Sequence, residues 1–249
     1  MKLKSLFVAI CFVLASAVSA TADVFELRTY TVNEGKLDAL NKRFRDHTVK
    51  LFEKHGMVNV GYWVPADAPK SKNTLIYVLK HKSREAAKAS WKGFVNDPDW
   101  KKAFKESRKD GAIVNKVESV FMKATDYSPT FKSGKAAKDT VFELRIYKTG
   151  KGKLANLDSR FRDHTIDLFS RHGMKSVAYW HPTDEPDAAD TLIYILEHKS
   201  RDASKKSWPA FIQDEEWKKV FAASRKNGAL LRERPESIYM KATDYSAIK

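Results

Sequence analysis

The sequence predicts an α+β protein made of two ferredoxin-like units that pair within one chain. Three observations predict this fold: a repeat of a whole domain, the same order of strand and helix patterns in both copies, and a polar linker between them. The order in each copy is β-α-β-β-α-β, the ferredoxin-like unit. Helices cover only one face of such a sheet, so we expect the bare faces of the two copies to meet.

The repeat is almost free of gaps. Residues 24–30 (VFELRTY) return as residues 141–147 (VFELRIY), an offset of 141 − 24 = 117 residues. The same offset aligns RFRDHT at 43–48 and 160–165, HGM at 55–57 and 172–174, YW at 62–63 and 179–180, and TLIY at 74–77 and 191–194. More than half of the aligned positions are identical, which indicates duplication of a domain.

The boundaries follow from the repeat. We predict a first domain at 21–127, a linker at 128–140 and a second domain at 141–249. The linker contains Pro129, Ser133, Gly134 and several lysines, a composition typical of a connecting segment.

Each element of the first copy has a local reason, and the second copy repeats it. A strand at 24–30 precedes a helix over 36–54, which has apolar residues at helical spacing and ends at Gly56, a natural left-handed cap. Strands at 58–64 and 74–80 follow. Ser83 is the expected N-cap of the next helix, and Asp97-Pro98 begins another that ends at Gly111. A strand at 117–123 completes the copy.

The N-terminus has the pattern of a secretory signal peptide at 1–20. Lys2 and Lys4 precede an apolar run over 6–18, and Val18-Ser19-Ala20 offers small residues for cleavage. The run is too short for a comfortable membrane span. We therefore expect a secreted or periplasmic protein. Its one cysteine, Cys11, would leave with the signal, which excludes disulfides and cysteine chemistry from the mature chain.

The chain is basic, with a formal net charge of +15. The lysines are spread along the helices and not gathered in one block, which favours a solvated basic surface over a nucleic-acid site. We expect no nucleic-acid partner. We also expect no cofactor, because no phosphate-loop, dinucleotide or catalytic motif is present.

The alternation of the first strand provides the candidate site. Phe25, Leu27 and Thr29 share one face, and we expect this face to meet the helices. The opposite face would then point into the space between the two sheets. Its candidate ligand-binding residues are Glu26, Arg28 and Tyr30, with Glu143, Arg145 and Tyr147 from the second copy. The alternative is an ion pair at the sheet interface that satisfies itself.

The histidines and tryptophans give further candidates. His81 and His198 follow the third strand of each copy, where a loop could frame a cavity mouth. His47 and His164 fall on the apolar stripe of a helix and are expected in the core, and His55 and His172 are expected to cap helix ends. His47 and His55 are eight residues apart on the predicted helix, too far apart to bind one metal ion together. Either Tyr62 or Trp63, and likewise Tyr179 or Trp180, faces the barrel interior; we include both tryptophans among the ligand-binding candidates.

Residues 25–30 (FELRTY), 44–48 (FRDHT), 55–57 (HGM) and 62–63 (YW) resemble the NIPSNAP domain, twice in the expected order. The resemblance implies the dimeric α+β barrel superfold, which also hosts cofactor-free monooxygenases and haem-degrading enzymes. It implies no shared reaction.

Three functions stay open at this point. The first is a module that binds a small anionic or hydrophobic ligand, or a partner, without catalysis. The second is a cofactor-independent oxygenase or isomerase that uses the barrel interior. The third is a basic protein that binds anionic envelope surfaces.

Overall fold

The computed structural model describes residues 23–135 and 137–248, and the predicted signal peptide at 1–20 lies outside the described residues. The strands of the first half are β1 Val24–Val32, β2 Val58–Pro65, β3 Thr74–His81 and β4 Val114–Ala124. Those of the second half are β5 Val141–Lys148, β6 Lys175–Pro182, β7 Thr191–His198 and β8 Glu236–Ala242. The predicted α+β class and strand order are confirmed.

The helices form an outer layer on each half. The first half has α1 Leu37–Arg43, a π-helical segment Phe44–Thr48, α2 Val49–Lys54, α3 Arg84–Asn96 and α4 Pro98–Glu106. The second half has α5 Leu154–Arg160, a second π segment Phe161–Thr165, α6 Ile166–Arg171, α7 Arg201–Gln213 and α8 Glu215–Ser224. Within the described residues, no helix is long and apolar enough to span a bilayer.

The predicted N-caps are confirmed by their hydrogen bonds. Ser83 Oγ accepts from the backbone N–H of Ala86 at 3.1 Å, and Asp97 Oδ1 accepts from that of Asp99 at 2.8 Å. Gly56, just after α2, has φ +78°, a conformation that favours glycine because it has no Cβ.

The eight strands close into one antiparallel barrel in the order β1-β3-β2-β8-β5-β7-β6-β4. Closure occurs through two joints between the halves. At one, β2 pairs with β8, and at the other β4 pairs with β6. At each joint two edge strands pair with each other, and neither edge then stays open to pair with a second molecule. The predicted pairing of the two copies within one chain is thereby confirmed.

Two apolar layers lie on either side of the sheet. The barrel core contains residues of both halves, among them Phe25, Leu27, Trp63, Phe142, Leu144 and Trp180. A separate layer in each half lies between sheet and helices, with Phe44, Phe52, Tyr62 and Tyr77 in the first half and Phe161, Phe169, Tyr179 and Tyr194 in the second. Both faces of the sheet are therefore covered by apolar side chains and shielded from solvent.

The predicted orientation of the first strand is wrong in both copies. Phe25 and Leu27 face the barrel core, whereas Glu26, Arg28 and Tyr30 face the helices. Glu143, Arg145 and Tyr147 do the same in the second half. Strand alternation separates two sets of side chains, but it does not state which set faces which layer when both layers exclude water.

The predicted core position of His47 and His164 is also wrong. Both side chains are exposed, while Thr48 and Thr165 are buried in their place. Each histidine lies in a π segment, where the wider turn shifts the buried stripe by one residue. Thr48 Oγ1 accordingly donates to the carbonyl of Arg43, five residues earlier, at 3.2 Å.

Candidate functional site

A buried carboxylate cluster lies between sheet and helices in the first half. Glu26 on β1 is 1% exposed and accepts four hydrogen bonds. Its Oε1 accepts from Arg28 Nη1 at 2.5 Å and from Ser119 Oγ at 2.6 Å. Its Oε2 accepts from Trp91 Nε1 of α3 at 2.8 Å and bonds with His81 Nε2 at 3.1 Å. Strands β1, β3 and β4 together with α3 thus converge on one carboxylate.

The second half repeats this cluster. Glu143 bonds with Arg145 Nη1 at 2.6 Å, Ser237 Oγ at 2.7 Å, Trp208 Nε1 at 2.9 Å and His198 Nε2 at 2.9 Å. All five residue types match those of the first cluster. The repeat thus preserves a complete set of partners.

Nearby charges and hydrogen bonds keep the carboxylate of each cluster ionised. Burial by itself raises the pKa of Glu26, but the bond with His81, the Arg28 charge and the Ser119 and Trp91 donors lower it to about 2. Burial likewise raises the pKa of Glu143, but the bond with His198, the charge and hydrogen bond of Arg145 and the Ser237 donor lower it to about 2. The Arg28 guanidinium also lies 4.3 Å from the centre of the Trp91 ring, a cation–π contact.

These clusters are better suited to stabilise the fold than to transfer protons. A carboxylate with a pKa of about 2 is a weak base near neutral pH, since an efficient general base has a pKa near the working pH. Its oxygens already accept four bonds, and Arg28 Nη2 reaches Tyr30 Oη at 3.4 Å. A ligand would have to displace one of these partners. Ligand binding by Glu26, Arg28, Tyr30 and their second-copy equivalents stays a prediction.

The predicted position of His81 and His198 at a cavity mouth is wrong. Each is the last residue of its strand and is buried, at 2% and 1% exposure, against the carboxylate of the same half. The alternation of β3 places His81 on the same face as Tyr77 and Leu79, beneath the helices.

The structure decides between the neighbouring aromatics. Trp63 and Trp180 face the barrel core, and Tyr62 and Tyr179 face the helices. Trp91 and Trp208 were not among the candidate site residues, yet their indole N–H groups complete the carboxylate clusters. Each tryptophan is 65 residues from its carboxylate in sequence, so no local sequence pattern connects the two.

A cavity of about 560 Å³ opens at one end of the barrel, beside the first copy. We call it the barrel-mouth cavity. Its apolar lining includes Phe25, Val58, Val60, Phe131 and Ile248. Its charged lining consists of Asp23, Lys80 and Lys123. The volume lies within the range of small-molecule sites.

The linker forms one wall of this cavity and reaches into the barrel. The Phe131 ring lies 5.3 Å from that of Phe25 and stacks on that of Trp180 at 5.6 Å, centre to centre. A segment predicted as a simple connector therefore contributes to a site between the two copies.

The equivalent position of the second copy carries an ion pair. Val58 lies opposite Lys80 across β2 and β3, and Val58 is 50% exposed. The corresponding Lys175 and Glu197 lie opposite each other and pair at 2.8 Å. At this position the first copy has an apolar residue opposite Lys80, which pairs with Asp23, whereas the second copy has a charged pair across the two strands.

Within 23–135 and 137–248, no group of three or more histidine, cysteine or carboxylate side chains is arranged to hold a metal ion.

Solved structures of other proteins share this architecture. A candidate monooxygenase from Fusobacterium nucleatum is 10% identical, with a TM-score of 0.61, over 92% of this chain and 99% of that one. Another from Lactobacillus acidophilus is 13% identical, with a TM-score of 0.52, over 91% and 96%. At these identities the likeness concerns the fold alone. No curated protein matches the sequence.

A NIPSNAP family protein from Agrobacterium tumefaciens, 22% identical, aligns with 44% of this chain and 94% of its own, at a TM-score of 0.39. The family model itself matches twice, at residues 25–129 and 142–247. These two matches cover most of the chain, which therefore belongs to the NIPSNAP family and carries two consecutive NIPSNAP domains.

Proposed function

We propose that this protein is a binding module for a small amphipathic anion, a molecule with an apolar body and one anionic end. The observation that carries the proposal is the barrel-mouth cavity, about 560 Å³ in volume, in which Phe25, Val60 and Phe131 meet two lysines. Such a combination suits a ligand that buries its apolar part and keeps its charge at the rim.

The lysines support an anionic end. Lys80 is paired with Asp23 at 2.9 Å, whereas Lys123 has no carboxylate partner among the described residues. Lys123 is therefore the side chain available to pair with a ligand anion. The lining offers little for acid–base catalysis, because its only other titratable groups already form a pair; this favours binding over chemistry.

The test uses 1-anilinonaphthalene-8-sulfonate, an aromatic sulfonate whose fluorescence rises in apolar surroundings. We expect saturable binding by the wild type and competition by decanoate. The double variant V58K/K80E introduces the ion pair of the second copy and should weaken binding about tenfold or more, because it makes the rim polar and reverses a charge.

The matched control is K175V/E197K, which makes the reverse exchange in the second copy and should leave the affinity unchanged. A wild-type protein with no saturable probe binding would contradict the proposal. So would a V58K/K80E variant that binds like the wild type.

A further inference from the structure

A second cavity of about 480 Å³ lies between α5, the second π segment and α8, and shares no lining residue with the barrel-mouth cavity. We call it the helix cleft. The lining residues that matter for its chemistry are Ser159, Arg160, Asp163, Lys219, Ser224 and Asn227. It is a cleft on the outer surface of the second copy.

Arg160 is the unusual member of this set. It is 6% exposed and forms no ion pair with any described residue. Its Nη1 donates a long bond of 3.3 Å to Ser224 Oγ, and its Nε is buried without a partner. Arg145, which is half-buried, is instead paired with Glu143 at 2.6 Å. Arg43, the first-copy equivalent of Arg160, is also buried without an ion pair to any described residue and with an unpartnered Nε. A buried cation without a counter-charge needs an explanation.

Asp163, the carboxylate among the lining residues, forms no ion pair with Arg160. Burial is the main influence on its pKa, which is lowered, with Tyr147 and Tyr194 opposing the shift and Arg225 adding to it. Its charge persists, since a guanidinium does not lose its proton in proteins. The rings of Trp217 and Phe221 lie 5.2 and 5.7 Å away and offer cation–π contact only. An anion entering the cleft would remove this imbalance.

The first copy shows how the same position differs in charge. With the repeat offset, Ser159, Ala223 and Asn227 correspond to Lys42, Glu106 and Asp110. The cleft has two cations, Arg160 and Lys219, and one anion, Asp163, a net charge of +1.

The equivalent first-copy positions have three cations (Lys42, Arg43, Lys102) and three anions (Asp46, Glu106, Asp110), a net charge of zero. In the first copy Lys42, the residue before Arg43, also pairs with Asp46 at 2.6 Å. At the equivalent positions the second copy has neither the lysine nor two of the three carboxylates. These differences give the positions around Arg160 a formal charge of +1, against zero around Arg43.

We propose that the helix cleft of the second copy binds a phosphate group, with Arg160 and Lys219 as its cationic contacts. The planar fork of arginine matches phosphate oxygens with two parallel donors. Asn227 adds a neutral amide donor. The Ser159 and Ser224 hydroxyls donate to backbone carbonyls at 3.1 and 2.9 Å, so each would have to turn away from its carbonyl to reach a ligand. The second π segment, an element often found at functional sites, forms one wall through Asp163.

The test is isothermal titration of the full chain with inorganic phosphate in a phosphate-free buffer. We expect one saturable site. The variant A223E/N227D restores the two first-copy carboxylates at exposed positions, so it should fold normally and weaken binding at least about tenfold. R160M should weaken binding to a similar extent, and R43M, the matched change in the first copy, should leave it unchanged.

Glycerol 3-phosphate distinguishes the sources of the phosphate group. Binding of the ester as tight as that of inorganic phosphate indicates a phosphorylated metabolite, and binding of inorganic phosphate alone indicates the free ion. The proposal is overturned if phosphate shows no saturable binding, if A223E/N227D binds like the wild type, or if R43M and R160M weaken it equally. Sulfonate-probe binding at the barrel mouth should be unaffected by A223E/N227D.

Discussion

Replacing Arg28 by methionine tests whether the first carboxylate cluster is a structural ion pair or a ligand site. The change keeps an apolar side chain of similar length beside Trp91 but removes the cation 2.5 Å from Glu26. Glu26 is 1% exposed, so water cannot replace the lost partner. An unpaired buried charge is among the most costly defects in a folded protein.

The magnitude follows from the remaining contacts. Removal of one partner of a buried ion pair costs about 3–5 kcal/mol of unfolding free energy. Glu26 would keep its bonds to His81, Trp91 and Ser119, so we expect a loss near the lower limit, about 3 kcal/mol. The double variant E26Q/R28M removes both charges and should recover much of that loss, because no unpaired ion remains.

The assay is urea unfolding of the wild type, R28M, E26Q and E26Q/R28M, followed by circular dichroism, with the non-additivity of the double variant giving the coupling free energy. R45M is the matched control. Arg45 forms a two-bond pair with Asp244 at 2.6 and 2.8 Å, but it is exposed, so its removal should have a much smaller effect.

An R28M variant as stable as R45M would refute this reasoning. It would show that the Arg28 charge contributes little to folding, and the role of Arg28 as a ligand-binding residue would become the better hypothesis. Strong destabilisation with rescue in the double variant would support the structural interpretation.

Three further predictions concern stability, assembly and export. Glu26 and Glu143 have folded-state pKa values of about 2, against an ordinary 4.5, so the unfolded chain binds more protons as acid is added. The stabilisation from these two carboxylates is present above about pH 4.5 and is lost as the pH falls towards 2. E26Q should therefore make Tm fall less steeply between about pH 4.5 and 2. A Tm that falls as steeply in E26Q as in the wild type would contradict this contribution of Glu26. Residues 22–127 expressed alone should dimerise or aggregate, because β2 and β4 lose their partners and Trp63 its cover, and a stable monomer by light scattering would contradict this. We propose that residues 1 to about 20 are removed on export; N-terminal sequencing that began at Met1 would exclude cleavage.

The sequence by itself determined the duplication, the order of the elements and the pairing of the copies. These follow from local or repeated signals, such as the cap at Ser83, the stop at Gly56 and the offset that carries residues 24–30 onto 141–147. Each unit has a sheet face without helices, and the two sheets cover these faces by closing together into one barrel.

The candidate site could be predicted only in part. Sequence alternation grouped Glu26 with Arg28 correctly, and the alternative of a self-satisfied ion pair agrees with their 2.5 Å contact. The partners Trp91 and Ser119 come from elements distant in sequence, and no local pattern connects them to Glu26. The exposure of His47 depended on a π turn, which shifts a helical stripe without a strong sequence signal.

Only the tertiary structure decided which face of each strand lies inside the barrel. Both layers of a closed barrel exclude water, so the apolar pattern of β1 fits either orientation, and the choice depends on packing across the two halves through Phe25 and Trp180. The barrel-mouth cavity has the same origin. Its walls combine strand ends, the linker residue Phe131 and Ile248 near the C-terminus, which closure of the barrel brings together from distant parts of the sequence.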